Sequence, residues 1–195
     1  MLLIIFAGDK MIGALITSQT RIRLLKKFFL NSNTTAHLRG LESEFNESSN
    51  AIRVELNRFE DAGLLLSSRS GNKKIYRANL GHPLFDEIHR IVLKEMGIDR
   101  IIDKVIHKMG NLESVYLTGD FAKGKDAKII ELILVGTEID MEYLQRKTDQ
   151  AEEMVGRKVK CAVLDPAVAS LYLSEIQPTD LLPIWSIKES GKKLM

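Results

Sequence analysis

The sequence predicts an α+β chain of two domains joined by a helical connector. An amphipathic helical pattern from Ser48 to Ala62 is followed directly by a basic strand–turn–strand pattern. From Glu113 onward, short apolar strand patterns alternate with helical ones, as in a small α/β domain. We therefore place the first domain at residues 11–80, the connector at 81–110 and the second domain at 111–195.

The composition is that of an ordinary globular protein. Of its 195 residues, 45% are hydrophobic and 28% are charged, and the net charge is only +2. Any nucleic-acid binding must therefore come from local basic clusters. Cys161 is the single cysteine, which excludes an intramolecular disulfide and a cysteine metal cluster and fits a reducing cytoplasm. No other metal site is expected.

The amino-terminal residues predict neither a membrane anchor nor a secretory signal. The apolar run from Met1 to Phe6 is too short to span a bilayer, and it lacks a basic region and a cleavage site. Residues 1–10 are interpreted with equal weight as part of the fold or as an extension, since Met11 could equally be the start.

The Ser48–Ala62 helix has an apolar side suited to a core. Ser48 and Ser49 can accept hydrogen bonds from the free N–H groups at its start. Ile52, Leu56 and Phe59 then recur at helical spacing and form an apolar stripe.

The other side of the same helix is polar. Asn50, Arg53 and Asn57 are separated by three and four residues, so they share one face. Arginine can bind guanine through two hydrogen bonds, and asparagine can bind adenine in the same way. This face therefore predicts a DNA recognition helix, and the alternative is an ordinary amphipathic surface helix.

The segments around this helix favour the DNA-binding interpretation. Upstream, Thr17 and Ser18 cap a predicted first helix through residues 21–30, and a second helix is predicted from Thr35 to Phe45. Downstream, the turn at residues 70–72 predicts a hairpin. Its tip carries three basic residues suited to phosphate contacts: Arg69, Lys73 and Lys74. A helix, a turn, a helix and a basic hairpin form a winged helix-turn-helix.

The connector is predicted to be helical. Pro83 can begin a helix whose buried side carries Leu84, Ile88, Ile91 and Val92. A second helical segment is predicted from residue 99 to 109, with an interruption at Gly97. The connector is our candidate for a dimer interface or a rigid link.

The second domain is predicted to alternate strands and helices. The predicted strands are Val115–Leu117, Ile129–Val135, Lys158–Leu164 and a short one within Pro178–Ser186. One predicted helix is Met141–Val155. Asp165 and Pro166 cap a second one, which ends near Glu175.

A glycine-rich loop lies between the first two of these strands. The sequence from Gly119 to Gly124, followed by Ile129-Ile-Glu131, resembles the minimal nucleotidyltransferase domains of the polymerase-beta superfamily. Gly119, Ala122 and Gly124 match the family's loop pattern, whereas Asp120 stands where the family has serine. Ile129 and Glu131 fall where the family carries a pair of metal-binding aspartates. The alternative is a glycine turn in an unrelated α/β domain.

The resemblance implies a nucleotidyltransferase-like fold without its activity. The family's chemistry uses two magnesium ions, which need several carboxylate oxygens. Glu131 alone cannot hold two such ions, and Asp120 opposes a phosphate. We therefore predict no catalytic residue, no metal and no cofactor.

The first domain resembles winged-helix regulators of the ArsR/MarR kind, without the cysteines of metal-sensing relatives. This resemblance implies a sequence-specific transcriptional regulator that binds double-stranded DNA as a homodimer. Ser48, Ser49, Asn50, Arg53 and Asn57 would face the DNA, and the second domain would be a sensor, a dimerisation module or an interaction module with an unidentified effector. The alternatives are an active nucleotidyltransferase that its winged helix targets, and a protein-interaction module.

Overall fold

The computed structural model describes residues 11–98, 101, 109–125 and 127–187. The chain divides into two compact units, one up to Met96 and one from Gly97. Each unit contains helices and its own sheet, so the predicted α+β class is confirmed. Residues 1–10 and most of the predicted 99–109 helix lie outside the described residues. None of the helices described combines the length and apolar character that a bilayer crossing requires.

The first unit contains five helices and three strands within the described residues. In chain order they are α1 (Met11–Leu15), α2 (Gln19–Phe29), β1 (Thr35–His37), α3 (Leu38–Phe45), α4 (Ser49–Asp61), β2 (Leu65–Ser70), β3 (Lys73–Ala78) and α5 (Phe85–Glu95). The predicted cap of α2 is confirmed, because the Ser18 hydroxyl accepts a hydrogen bond from the Arg21 N–H at 3.2 Å.

The three strands form one antiparallel sheet with the order β1-β3-β2. The prediction of a helix from Thr35 was wrong at its start, because Thr35 to His37 form β1 and α3 begins only at Leu38. Thr35 pairs with Arg77 and His37 with Ile75 on β3. This pairing joins residues about forty positions apart, so no local pattern in the sequence reveals it.

The core of the first unit is built around α2. This helix packs against α4 and α5, and its Leu24 and Phe28 are fully buried. Helix α3 contacts it through a pair of charges. Lys27, itself buried, is 2.9 Å from Glu44 on α3, so an ion pair as well as apolar contact fixes α2.

Helix α5 buries only part of the side that the sequence predicts. Val92 is buried as expected and Ile88 is half-buried, but Leu84 is 55% exposed and Ile91 is 44% exposed. The reason is that Phe85 and His89 turn toward α2. The Phe85 ring lies 5.6 Å from that of Phe29, and the imidazole Nδ1 of His89 is 2.6 Å from the Phe29 carbonyl oxygen.

The second unit contains four strands and three α-helices whose bounds are described, besides the helical positions Ile98 and Ile101 and a 3-10 turn at Pro178–Asp180. They are β4 (Asn111–Thr118), α6 (Gly119–Ala122), β5 (Ile129–Thr137), α7 (Met141–Val155), β6 (Lys158–Leu164), α8 (Pro166–Glu175) and β7 (Leu181–Ser186). The predicted bounds of α7 and β6 are confirmed. The predicted strand Val115–Leu117 extends further at both ends, and the predicted loop at Gly119 begins with the single turn of α6.

The strand order of this second sheet is β6-β5-β4-β7. Only β5 and β6 are parallel, and α7 makes the crossover that a parallel pair requires. Helix α8 covers one face, where Ala169 packs with Ile133 and Val135. Thr148 of α7 contacts Cys161, which pairs with Leu132 and so belongs to the opposite face.

Candidate nucleic-acid interface

Helix α4 separates its apolar and polar sides as the sequence predicts. Ile52, Leu56 and Phe59 are buried in the first unit. Asn50, Arg53 and Asn57 are exposed on the opposite side. The helix ends at the predicted place, since Gly63 follows its last turn with a φ of +72°, a conformation that glycine adopts without strain.

The two serines at the start of α4 use their hydroxyls within the protein. The Ser48 Oγ accepts a hydrogen bond from the Ala51 N–H at 3.3 Å, which is the expected cap. The Ser49 Oγ donates to the Glu42 carboxylate on α3. Both residues therefore fix the position at which α4 begins, next to the exposed Asn50.

Arg53 has no carboxylate partner in the described part of the chain, whereas the neighbouring Arg58 has one. Arg58 lies 3.1 Å from Glu55 at the i, i+3 spacing. The exposed face of α4 thus presents one guanidinium available for an external ligand, between two exposed asparagine side chains. This arrangement is chemically suited to the hydrogen-bonding edges of bases.

Glu55, which the sequence analysis missed, connects α4 to α2. Its carboxylate is buried and accepts hydrogen bonds from Arg21 at 2.9 Å and 3.2 Å and from Ser18 at 3.0 Å. Burial raises the pKa of Glu55, but these hydrogen bonds and the charges of Arg21 and Arg58 lower it more, so its pKa lies below the usual value. Arg21 is thereby used within the fold, as is Arg23, which pairs with Glu47 at 2.8 Å.

The hairpin of β2 and β3 has its turn where the sequence predicts it. Ser70 pairs with Lys73 across the two-residue turn Gly71-Asn72, and Arg69 pairs with Lys74. All residues from 66 to 74 are exposed, so the tip extends away from the core. Arg69 and Lys73 have no acidic partner among the described residues.

Lys74 differs from the other two basic residues of the tip. Its ammonium lies 2.6 Å from Glu60 of α4 and 5.1 Å from the centre of the Tyr76 ring. Glu60 also accepts a hydrogen bond from Ser67 at 2.6 Å. The hydrogen bond from Lys74, then that from Ser67, lowers the pKa of Glu60, and the bond to Glu60 raises the pKa of Lys74. Glu60 therefore attaches the hairpin to α4.

The glycine loop of the second unit is the other candidate site. Asp120 is exposed and lies 3.7 Å from Lys125, while Lys123 lies 3.0 Å from Asp180. These carboxylates counter the charge of both lysines. In the region described, no group of three or more His, Cys, Asp or Glu side chains could hold a metal ion.

Glu131 approaches this loop very closely. It lies on β5 opposite Thr118 of β4 and Lys160 of β6. A Cβ atom on Gly119, whose φ is +68°, would be only 1.9 Å from the Glu131 Oε2. The Glu131 carboxylate therefore occupies the space beside the loop, and the positive φ favours glycine at position 119. Ile129, at the other family metal position, is 38% exposed and offers no ligand.

Comparisons with known proteins give distant likenesses. No family model and no curated protein matches the chain. Among solved structures, a candidate nucleotidyltransferase from Sulfolobus solfataricus is 18% identical, with a TM-score of 0.34, over 57% of this chain and 96% of that one. TrmBL2, an archaeal chromatin protein that binds DNA, is 14% identical, with a TM-score of 0.28, over 96% of this chain and 79% of that one.

Human N-acetylserotonin methyltransferase, solved in complex with SAM, is likewise 14% identical, with a TM-score of 0.28, over 51% of this chain and 33% of that one. TM-scores this low do not establish a shared fold or a shared function.

Proposed function

We propose that the chain is a sequence-specific DNA-binding transcriptional regulator and that residues 11–80 form a winged helix-turn-helix. The observation that carries the proposal is the exposed face of α4. Asn50, Arg53 and Asn57 face solvent there, and Arg53 has no internal partner in the part of the chain described. The hairpin tip next in sequence adds Arg69 and Lys73, also without acidic partners among the described residues.

The proposed roles follow from chemistry. Arg53 and the two asparagines would contact base edges in the major groove, while Ser48 and Ser49 would hold the start of α4 against the DNA. Arg69, Lys73 and Lys74 would bind phosphates. Lys74 would do so with a charge that Glu60 partly neutralises. Base contacts give specificity, and the phosphate contacts give affinity that depends on salt.

The proposed regulator acts as a homodimer on two half-sites. Residues 81–110 would form the connector or the interface between the copies. Leu84 and Ile91 support this assignment, because Leu84 is the N-cap of α5, Ile91 lies seven residues later on the helix, and both are exposed. A second copy could bury this apolar strip.

We propose that the second domain, residues 111–195, is a catalytically inactive nucleotidyltransferase-like sensor or interaction module. Glu131 is the single carboxylate at the family's paired metal positions, and it contacts the loop at Gly119. A negative charge beside the loop opposes a triphosphate. Asp120 adds a second negative charge at the same loop, and this one is exposed.

The decisive experiment is a binding selection from fragmented genomic DNA, followed by fluorescence anisotropy titration of the selected sequence at two salt concentrations. A recovered palindrome that binds far more tightly than random DNA is the expected result. Selection of no sequence, with weak binding that disappears at higher salt, would overturn the proposal. Binding of a protein instead of DNA at the α4 face would favour the interaction-module alternative.

An active nucleotidyltransferase remains the second candidate function, because Gly119, Gly124 and Glu131 keep part of the family pattern. Its test is magnesium-dependent transfer of labelled nucleotide with each of the four triphosphates. We expect no transfer. Transfer that Glu131→Gln abolishes would establish the enzyme.

A further inference from the structure

The recognition face of α4 contains one aliphatic side chain that the proposed roles do not use. Val54 is 41% exposed, although the apolar residues of the opposite side are buried. It lies four residues after Asn50 and three before Asn57, so all three share one strip along the helix. The exposed Asp61 ends this strip. Its negative charge is repelled by phosphate, so DNA contact is favoured at the earlier turns of the helix.

Helix propensity does not account for a valine at this position. A β-branched residue is a poorer helix former than alanine at an exposed site. The buried apolar side of α4 is formed by Ile52, Leu56 and Phe59, and Val54 is not part of it. Single exposed valines are common on protein surfaces, so the informative feature is the location of this one between two asparagines.

The chemistry of the major groove offers one matching group. The thymine C5-methyl is the apolar group that distinguishes a base pair there, and asparagine binds the adenine edge. We propose that Val54 contacts the C5-methyl of a thymine in each half-site and determines specificity for an A·T pair. This inference rests on the proposed function. The stiff χ1 torsion of valine holds its methyl groups in place without further ordering.

The test uses the palindrome recovered by selection, with each thymine of a half-site replaced in turn by uracil, which lacks only the methyl group. Binding of the full-length protein is measured by anisotropy. We expect one position at which uracil weakens wild-type binding about four-fold, the value of one buried methyl group. At that position Val54→Ala should bind the thymine and uracil duplexes equally. Val168→Ala, an equivalent change at a 58% exposed position of α8, should keep the wild-type preference.

The outcomes separate the two proposals. A recovered palindrome on which no uracil weakens binding overturns the role of Val54 and leaves the regulator intact. A uracil effect that persists unchanged in Val54→Ala overturns it as well. Failure to recover any preferred sequence overturns the regulator itself, and the role of Val54 with it.

Discussion

Individual side chains of α4 have opposite tasks on its two sides. Arg53 faces solvent without a carboxylate partner in the described region, whereas Glu55, two residues later, is buried and holds Arg21 and Ser18. A cation that the fold does not neutralise is available to a ligand. A buried anion must be compensated from within. Substitutions at these two positions should therefore affect different properties of the protein.

Arg53→Ala should lower DNA specificity without lowering stability. If the guanidinium binds one base, its removal should cost about 1–3 kcal/mol at that position and relax the preference there. The measurement is a repeat of the selection and titration with the variant. An unchanged preferred sequence would show that Arg53 does not contact a base.

Glu55→Gln should instead lower stability, because it weakens hydrogen bonds from a charged arginine to a buried acceptor. We expect a loss of about 1–2 kcal/mol, measured as a lower urea midpoint at constant slope. Glu142→Gln is the matched control, because its pair with Arg146 is largely exposed and should contribute about 0.5 kcal/mol or less. Equal losses in both variants would contradict the structural role of Glu55.

The ion pair of Glu55 and Arg21 makes the stability of the protein depend on pH, with a sign that follows from the pKa of Glu55. The pKa of Glu55 is lower in the folded protein than its ordinary value of 4.5, so its contribution is present above that pH and is lost as pH falls through the folded-state pKa. The stability difference between the wild type and Glu55→Gln should therefore shrink below pH 4.5. A constant difference across this range would exclude titration of Glu55 as its source.

Hydrogen bonds and ion pairs to a glutamate also position whole elements of the first unit. The hairpin of β2 and β3 extends its tip into solvent, yet Glu60 attaches it to α4 through Ser67 and Lys74. This attachment restrains the hairpin beside the exposed face of α4. It also withdraws part of the charge of Lys74 from any phosphate.

Glu60→Gln should strengthen DNA binding and make it more dependent on salt. The substitution removes a negative charge and frees Lys74 from its partner, so the full charge of Lys74 should act on phosphate and steepen the salt slope by at most about 0.9. Lys73→Ala should have the opposite effect and flatten the slope by a similar amount for every sequence. Anisotropy titrations across a salt series measure both. An unchanged slope in Glu60→Gln would mean that Lys74 does not contact phosphate.

At the scale of the whole molecule, two units of different architecture share one chain. Each also exposes an apolar helix surface. In the first unit this surface is the α5 strip with Leu84 and Ile91, and in the second it includes Leu171 of α8, which is 68% exposed. A dimeric regulator requires one of these surfaces, or another one, to pair with its copy.

The double variant Leu84→Glu/Ile91→Glu should be monomeric by sedimentation velocity, because four like charges would meet at a paired α5 strip. Its affinity for a full palindrome should fall to that for a half-site. Leu171→Glu is the control and should remain dimeric. If only Leu171→Glu dissociates the dimer, the interface lies in the second unit.

The sequence by itself determined most of the elements and the division of α4 into two faces. Helical spacing and caps such as Ser18, Ser48 and Asp165 are local features, and the corresponding helices begin where these residues predict. The turn of the β2–β3 hairpin followed in the same way from Gly71 and Asn72. These predictions hold because neighbours in sequence are sufficient to specify them.

Only the tertiary structure decided which groups meet across long separations. Residues Thr35–His37 form a strand because they pair with β3. Phe85 of α5 packs against Phe29, and Ile91 is left exposed. The tertiary structure also brought Glu131 against Gly119, a contact that the spacing of the motif does not reveal. Such pairings depend on how distant elements bury their surfaces together, and therefore no local pattern of residues specifies them.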